Sequence, residues 1–270
     1  MEHEPGPDNA PDQATSADQA MSADQASSAD QATSADTAGA DVGELLDGRA
    51  DDLPYRRGVV ALLGLLAVGE LLGFERLAAD AASAPTLSDR AALQELAAKE
   101  QAHFALLRDR LAALGEDVEA AMLPFLPVFE QFHARTAPSD WLEGLVKAYV
   151  GDAIARDFIR EVSAAVGPST RALVLSALDV ADHADFVVTR VRAAIEADPR
   201  VGGRLALWGR RLVGEALSQA QHVAAGHDEL ADLLVGTPDR PGVDLGDLGS
   251  LFTRLTEAHT RRMAALGLSA

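Results

Sequence analysis

Glu100 and His103 are the first residues whose types and spacing suggest chemistry, and they lie in the segment AAKEQAHF (97–104). Residues three apart share one face of a helix, and the neighbours on this face are apolar, among them Leu96 and Leu107. A carboxylate and an imidazole on an apolar face are costly to bury unless something satisfies them. The two residues are therefore a surface pair, a hydrogen-bonded couple in the core, or part of a metal site.

Glu70 is a second carboxylate in an apolar setting, since it follows the run GVVALLGLLAVG (58–69). A turn centred near Pro85 lies 15 residues from both Glu70 and Glu100. In an antiparallel helical hairpin both would lie about 22 Å from that turn, so they are predicted to meet. The alternative for Glu70 is a core salt bridge to an arginine. Glu75 is a weaker ligand candidate, because it would lie opposite position 95.

A second predicted hairpin, with its turn near Gly167, repeats this arrangement. Asp152 lies 15 residues before the turn and His183 lies 16 residues after it. A Glu-x-x-His pattern ending at His183 would need a carboxylate at position 180, where the chain has Val180. Asp179, four residues before His183, shares its helical face instead. Asp152, Asp179 and His183 are therefore predicted to complete the site.

This combination of residues is typical of a two-metal site. A carboxylate from each of two helices, with a carboxylate and a histidine from each of the other two, is the ligand set of di-iron and di-manganese bundles. Carboxylates bind hard cations, and imidazole suits iron. The predicted metal ligands are Glu70, Glu100, His103, Asp152, Asp179 and His183. The predicted cofactor is a pair of non-haem iron ions, with manganese as the alternative.

Other readings of the second hairpin stay open. Asp152 has Arg156 four residues later, a spacing that suits an ordinary helical ion pair. Asp182 is an alternative to Asp179, although it is turned about 100° away on a helix. Tyr149, one turn from Asp152, either donates a hydrogen bond to a ligand or belongs to the core.

Long helical patterns must position these residues, and turn signals separate them. The patterns cover residues 56–82, 88–114, 140–165, 169–196, 203–235 and 248–266. No run shows the alternation of a β-strand. Four long helices in two hairpins, joined by a link over 115–139, predict an all-α four-helix bundle with one long crossover. The last two patterns predict two additional C-terminal helices.

Residues 1–50 have a different composition. They repeat SADQA with a period of six and carry a net charge of −10, out of −19 for the whole chain. Ala, Ser, Asp and Gln bury too little apolar surface to offset the entropy of ordering, so a disordered acidic tail is predicted before a helical domain over 54–270. The acidic body does not suggest a general nucleic-acid binder. The lack of cysteine and of a signal-peptide pattern suggests a cytoplasmic protein with no membrane segment.

Several segments carry a family likeness: GLLAVGELLGFERLAADA, KEQAHFALLRDRL, WLEGLVKAYVGDAIARDF and DHADFVVTRV. With the closing EAHTRRMAALGLSA, they resemble the ferritin-like superfamily over roughly residues 55–270. Within it they resemble the bacterial tRNA 2-methylthio-isopentenyladenosine hydroxylase group and its actinobacterial ferritin-like relatives. The resemblance implies a non-haem di-iron site that activates dioxygen. The positions that match the family pattern are Glu70, Glu100, His103, Asp152 and His183, with Asp152 replacing a glutamate.

The function expected from the residues and the resemblance together is a di-iron, dioxygen-dependent hydroxylase. Its implied partners are an electron-donating reductase and a modified tRNA as the substrate. The alternatives are a non-enzymatic ferritin-like bundle with a degenerate or single metal site, which Val180 favours, and an iron-handling protein.

Overall fold

The computed structural model describes residues 41–179, 181–237, 240–241 and 245–270, without the side chains of 181–183 and 234–248. Residues 1–40 of the predicted tail lie outside the described residues. The folded unit begins at Asp41 rather than at residue 54. Leu45 and Leu46 are both buried, because these two leucines give the end of the acidic segment an apolar surface that packs on the core.

Helices account for nearly all of the described secondary structure, and the predicted all-α fold is confirmed. The helices are α1 (Val42–Leu45), α2 (Leu53–Ala82), α3 (Leu87–Ala113), α4 (Val118–Met122), α5 (Leu126–Arg135), α6 (Trp141–Val146), α7 (Asp152–Val162), α8 (Pro168–Ala177), α9 (Ala181–Ala197), α10 (Pro199–Gly226), α11 (Asp228–Val235) and α12 (Leu245–Ala265). A π-helical turn (Lys147–Gly151) joins α6 to α7, and a 3-10 turn (Ser163–Ala165) follows α7. Two-residue strands, β1 (Gly236–Thr237) and β2 (Arg240–Pro241), pair antiparallel.

The α2–α3 hairpin forms close to its predicted bounds because its ends are capped. The Asp52 carboxylate accepts a hydrogen bond from the Tyr55 N–H at the start of α2. The Thr86 hydroxyl accepts one from the Asp89 N–H at the start of α3. Such side-chain caps satisfy backbone donors that the first turn of a helix leaves without a partner. The caps therefore fix where the hairpin turns, and with it the height of every residue along the two helices.

Three of the predicted helices are interrupted, which corrects their bounds. The pattern over 140–165 contains the π-helical turn, and the pattern over 203–235 is broken at His227. The pattern over 169–196 is broken between Ala177 and Ala181, and Asp179 lies in the break. Aspartate is poor in helix interiors, because its carboxylate competes for backbone N–H groups. The break turns what was predicted as one ligand-bearing helix into two helices.

Two apolar clusters form the core, and a polar layer separates them along three helices. On α2 the first cluster reaches Val68 and the second begins at Leu77. On α3 the second cluster ends at Ala97 and the first resumes at Leu107. On α7 the residues between Ile154 and Phe158 lie in the same gap. Glu70, Glu100 and His103 therefore occupy one level of the bundle together with Arg156 of α7. Asp152 joins this polar layer through its ion pair with Arg76 of α2.

α2 is long and apolar enough to cross a membrane by length and composition, but this is weak evidence. Of its most apolar 18 residues, 61% are buried inside the fold. That extent of burial is typical of the core helix of a soluble protein.

Candidate metal centre

Glu70, Glu100 and His103 form the centre of the polar layer. Glu70 is 3% exposed and Glu100 is 1% exposed, while His103 is partly buried. The Glu100 carboxylate lies over the α2 backbone at Gly73, where an added Cβ would be 3.5 Å from Glu100 Oε2. This distance is ordinary van der Waals contact, so the α3 carboxylate lies directly beside α2. The meeting across the hairpin that was predicted from residue heights is observed.

The spacing of the three side chains suits a metal ion. His103 Nδ1 lies 3.3 Å from Glu70 Oε2, and Glu70 and Glu100 share a side-chain hydrogen bond. One ligand atom from each residue lies within 4.8 Å of the other two. Metal–ligand bonds of roughly 2.0–2.2 Å place neighbouring ligand atoms about 3 Å apart, so a small inward adjustment would suffice. Within the described residues, no other group of three His, Cys, Asp or Glu side chains has this spacing.

The electrostatics of the group also suit a metal ion. Burial raises the pKa of the Glu70 carboxyl well above its ordinary value, and the hydrogen bond and negative charge of Glu100 raise it further. Burial lowers the pKa of His103, which keeps the imidazole neutral. A neutral imidazole has a free electron pair, and a metal ion can take the place of a carboxyl proton. Two carboxylates and an imidazole are a donor set that iron and manganese accept.

The second half of the predicted two-metal site is arranged differently, because two arginines enter the layer. Both Nη atoms of Arg76 donate to the Asp152 carboxylate, one of them at 2.9 Å. Arg156 Nη2 donates to Glu100 Oε1 at 2.6 Å. Burial alone would raise the pKa of Asp152, but the charge and hydrogen bonds of Arg76 outweigh it and the pKa is lowered. Asp152 is therefore held as an ion-paired carboxylate outside the group formed by Glu70, Glu100 and His103.

The ion pair between Asp152 and Arg156, which the sequence left open as an alternative, is not formed. Arg76 pairs with Asp152 instead, and Arg156 pairs with Glu100. The π-helical turn directly before Asp152 contributes to this outcome. A π turn adds one residue to a helical turn, which changes the direction of the side chains that follow, and such turns are frequent at functional sites. Tyr149 lies in this turn and is half-buried.

The structure does not bring Asp179 into the group. Asp179 is exposed, in the break between the two helices, and it lies outside the group of metal-ligand spacing. The side chains of Asp182 and His183 lie outside the described residues, so the assignment of His183 stays a prediction. Glu75 is exposed, as expected for the weaker candidate on α2.

An apolar cavity of about 100 Å³ adjoins the polar layer. Leu66, Phe129, Phe158 and Val223 are among the apolar residues of its wall. Its polar lining comprises Glu70, Arg76, His133, Asp152, Arg156 and Gln219. Glu70 therefore faces both the cavity and the other two residues of the centre.

Sequence reasoning missed Arg76, His133 and Gln219 as parts of this region. One sequence feature could have pointed to Arg76. It is a charged residue in the mostly apolar α2, six positions after Glu70. His133 and Gln219 lie on α5 and α10, and a sequence pattern does not specify that these helices line the same cavity as α2. Burial lowers the pKa of His133 to about 4, and the nearby charge of Lys147 adds to this effect.

Comparison with known families agrees with the fold. A family model described as a ferritin-like domain of actinomycetes matches residues 53–237. The chain belongs to this family, because the match covers more than half of its length. No curated protein matches the chain.

Proposed function

We propose that this ferritin-like protein binds a single redox-active metal ion, iron or manganese, through Glu70, Glu100 and His103. The observation that carries the proposal is the convergence of two buried carboxylates and an imidazole in an otherwise apolar core. Carboxylates are rarely buried to this degree unless they are paired or bind a metal. The ion would supply redox chemistry toward dioxygen or peroxide.

The arginines favour one ion over two. A second divalent ion in the layer would lie near Glu100 and Asp152, the two carboxylates that already have a guanidinium beside them. Breaking a buried ion pair is strongly unfavourable when one charge is left without a partner. Arg76 and Arg156 thus supply positive charge that a second ion supplies in a two-metal centre. Among the described residues, Glu70 is the carboxylate of the layer that forms no ion pair with an arginine, and it would share the single ion with Glu100 and His103.

Each residue of the centre would have a separate role. His103 and Glu100 hold the ion from α3, and Arg156 fixes the orientation of the Glu100 carboxylate through Oε1. Glu70 holds it from α2 and lines the apolar cavity. The surrounding leucines and phenylalanines exclude water from that side, which protects a reactive centre from side reactions.

The second candidate is the di-iron, dioxygen-dependent hydroxylase expected from the resemblance, with a reductase partner and a modified tRNA as its substrate. What supports it is the position of Asp152, which lines the same cavity as Glu70. It requires the two arginine pairs to open when the metal binds. The chain has two adjacent arginine pairs, Arg210–Arg211 and Arg261–Arg262. Arg211 donates to the Arg135 carbonyl and Arg262 donates to Asp157, which weakens the case for tRNA.

Metal content tests both candidates. The full chain is purified from iron-replete and from manganese-supplemented cells, and bound metals are counted by inductively coupled plasma mass spectrometry. Glu100→Gln and His103→Ala should each abolish metal binding while circular dichroism shows an intact helical fold. Glu95→Gln, at an exposed site on the same helix, is the matched control and should retain the metal.

One ion per chain supports the single-ion centre. Two ions, both lost in Glu100→Gln, would replace it with the di-iron candidate. No bound metal from either growth condition would refute both candidates.

A further inference from the structure

The apolar cavity lies against the candidate centre and is built from four helices. α2 and α7 supply the polar floor, and α5 and α10 supply much of the remaining wall. Its volume of about 100 Å³ is several times the roughly 30 Å³ that a water molecule occupies in the liquid. It is smaller than the engineered apolar cavity of about 150 Å³ that holds benzene. An occupant of about five non-hydrogen atoms therefore fits.

Three buried polar atoms without hydrogen-bond partners among the described residues belong to residues that line this cavity. They are Arg76 Nε, His133 Nδ1 and Gln219 Oε1. Gln219 is 5% exposed, and its Nε2 donates to Gln131 Oε1 at 3.2 Å, which leaves the carbonyl end without a donor. A buried polar group without a hydrogen-bond partner destabilises the fold unless an occupant satisfies it. Their gathering around one cavity indicates an occupant that both donates and accepts hydrogen bonds.

The charges around the cavity determine the charge of that occupant. The Nη atoms of Arg76 are bound by Asp152, and Arg156 is bound by Glu100. Neither guanidinium is left to neutralise an anion. Of the two carboxylates in the lining, Asp152 is paired with Arg76, and Glu70 lies 3.3 Å from His103 Nδ1. A charged occupant would lose its hydration without gaining a counter-ion, which is strongly unfavourable. The occupant should therefore be uncharged.

We propose that the cavity binds a small uncharged alcohol, mostly apolar and of about five non-hydrogen atoms, whose hydroxyl donates to Gln219 Oε1. A hydroxyl both donates and accepts hydrogen bonds, as the buried groups require. The cavity would be a substrate site only if the proposed metal function holds, because Glu70 belongs both to the cavity wall and to the metal centre. The binding itself needs no metal, since Glu100 and His103 are not part of the lining.

Three probes of equal size test the proposal in the full chain: 1-butanol, n-pentane and propionate. Binding is followed by the methyl NMR signals of Leu66, Ile159 and Val223, which line the cavity, in metal-free and metal-loaded protein. We expect 1-butanol to bind with a Kd in the micromolar to millimolar range, because the binding free energy of a ligand with five non-hydrogen atoms is limited. n-Pentane should bind about tenfold more weakly, and propionate should not bind.

Two variants locate the site. Gln219→Leu should weaken 1-butanol about tenfold, the equivalent of about 1.4 kcal/mol, and leave n-pentane unchanged. Ala220→Phe should fill the cavity and abolish binding of both probes. Ala225→Phe, at an exposed position on the same helix, is the matched control and should bind like the wild type. Thermal unfolding confirms that each variant is folded.

The outcomes separate the cavity from the metal centre. Equal affinity for n-pentane and 1-butanol, unchanged butanol binding in Gln219→Leu, preferred binding of propionate, or no response to any probe would each overturn the alcohol site. Selective butanol binding in protein that never takes up metal would support the cavity while the proposed function fails. Bound metal without butanol binding would support the proposed function, while the alcohol site fails.

Discussion

Replacing Arg156 by methionine should strongly destabilise the metal-free protein. Arg156 Nη2 lies 2.6 Å from Glu100 Oε1, and the exposed fractions of the two side chains are 13% and 1%. Removing one partner of a buried pair costs about 3–5 kcal/mol, because the other charge stays buried without compensation. For a domain of this size that loss corresponds to a fall in Tm of about 6–20 °C. Urea and thermal unfolding followed by circular dichroism measure both quantities.

Arg160→Met is the matched control for this prediction. Arg160 is four residues further along the chain, its side chain is 48% exposed, and it pairs with Asp157 at 3.0 Å. An exposed ion pair of this kind contributes about 0–1 kcal/mol. If Arg156→Met costs no more than Arg160→Met, the pairing of Arg156 with Glu100 does not stabilise the fold and the reasoning is refuted.

A double variant separates charge from packing. Adding Glu100→Gln to Arg156→Met removes the unpaired carboxylate, so the loss of stability should be smaller than the sum of the two single losses, by at least about 1–2 kcal/mol. A strictly additive loss would show that the arginine acts through its methylene contacts. Mn²⁺ should raise the Tm of Arg156→Met more than that of the wild type, because the ion supplies the positive charge that the variant lacks.

Three further predictions concern stability elsewhere in the fold. Lys147 is buried, and burial lowers its pKa from 10.5 to about 8. Since the folded pKa is the lower one, the wild type should gain about 3 kcal/mol over Lys147→Met as the pH rises from about 8 to 10.5, measured by urea unfolding. Gly64→Ala should cost about 1–3 kcal/mol in the same assay, because the new Cβ would lie 2.1 Å from the Ala121 carbonyl oxygen. Tyr55→Phe should cost about 1–3 kcal/mol and speed hydrogen exchange at Gly167, whose buried N–H donates to the Tyr55 hydroxyl at 2.9 Å.

Specific results would contradict each of these three. Parallel pH profiles for the wild type and Lys147→Met would show that the lysine keeps its ordinary pKa. Gly214→Ala, where an added Cβ meets nothing within 4 Å, is the control for Gly64→Ala, and equal effects would rule out the close approach of α4. Unchanged exchange at Gly167 in Tyr55→Phe would mean that its N–H does not depend on the tyrosine.

The first half of the site could be predicted because its geometry is local. Pro85 and the Thr86 cap fix the turn of the α2–α3 hairpin, and a constant rise per residue then sets the level of Glu70 and Glu100. The apolar neighbours of both residues showed that this face points inward. Helix geometry and a single turn position were sufficient for this part.

The arrangement around Asp152 could not be predicted, because it depends on which of several nearby carboxylates each arginine pairs with. Arg156 lies within reach of Asp152 on its own helix and of Glu100 on α3, and the packing of three helices decides between them. The extra residue of the π-helical turn changes the direction in which Asp152 points, and nothing in KAYVG marks such a turn in advance. The break at Asp179 takes this residue out of the helix that was predicted to carry it to the same level.

The number of metal ions should follow from the arginines, and this can be tested by removing them. Among the described residues, the layer has the carboxylates Glu70, Glu100 and Asp152 and the guanidinium groups of Arg76 and Arg156. Replacing both arginines with methionine leaves two carboxylates without a counter-ion, which a second divalent ion would supply. Arg76→Met with Arg156→Met should therefore raise the metal content from one ion to two per chain and make folding depend on metal. A folded double variant that still binds one ion would show that the ligand geometry, and not the charge, sets the number.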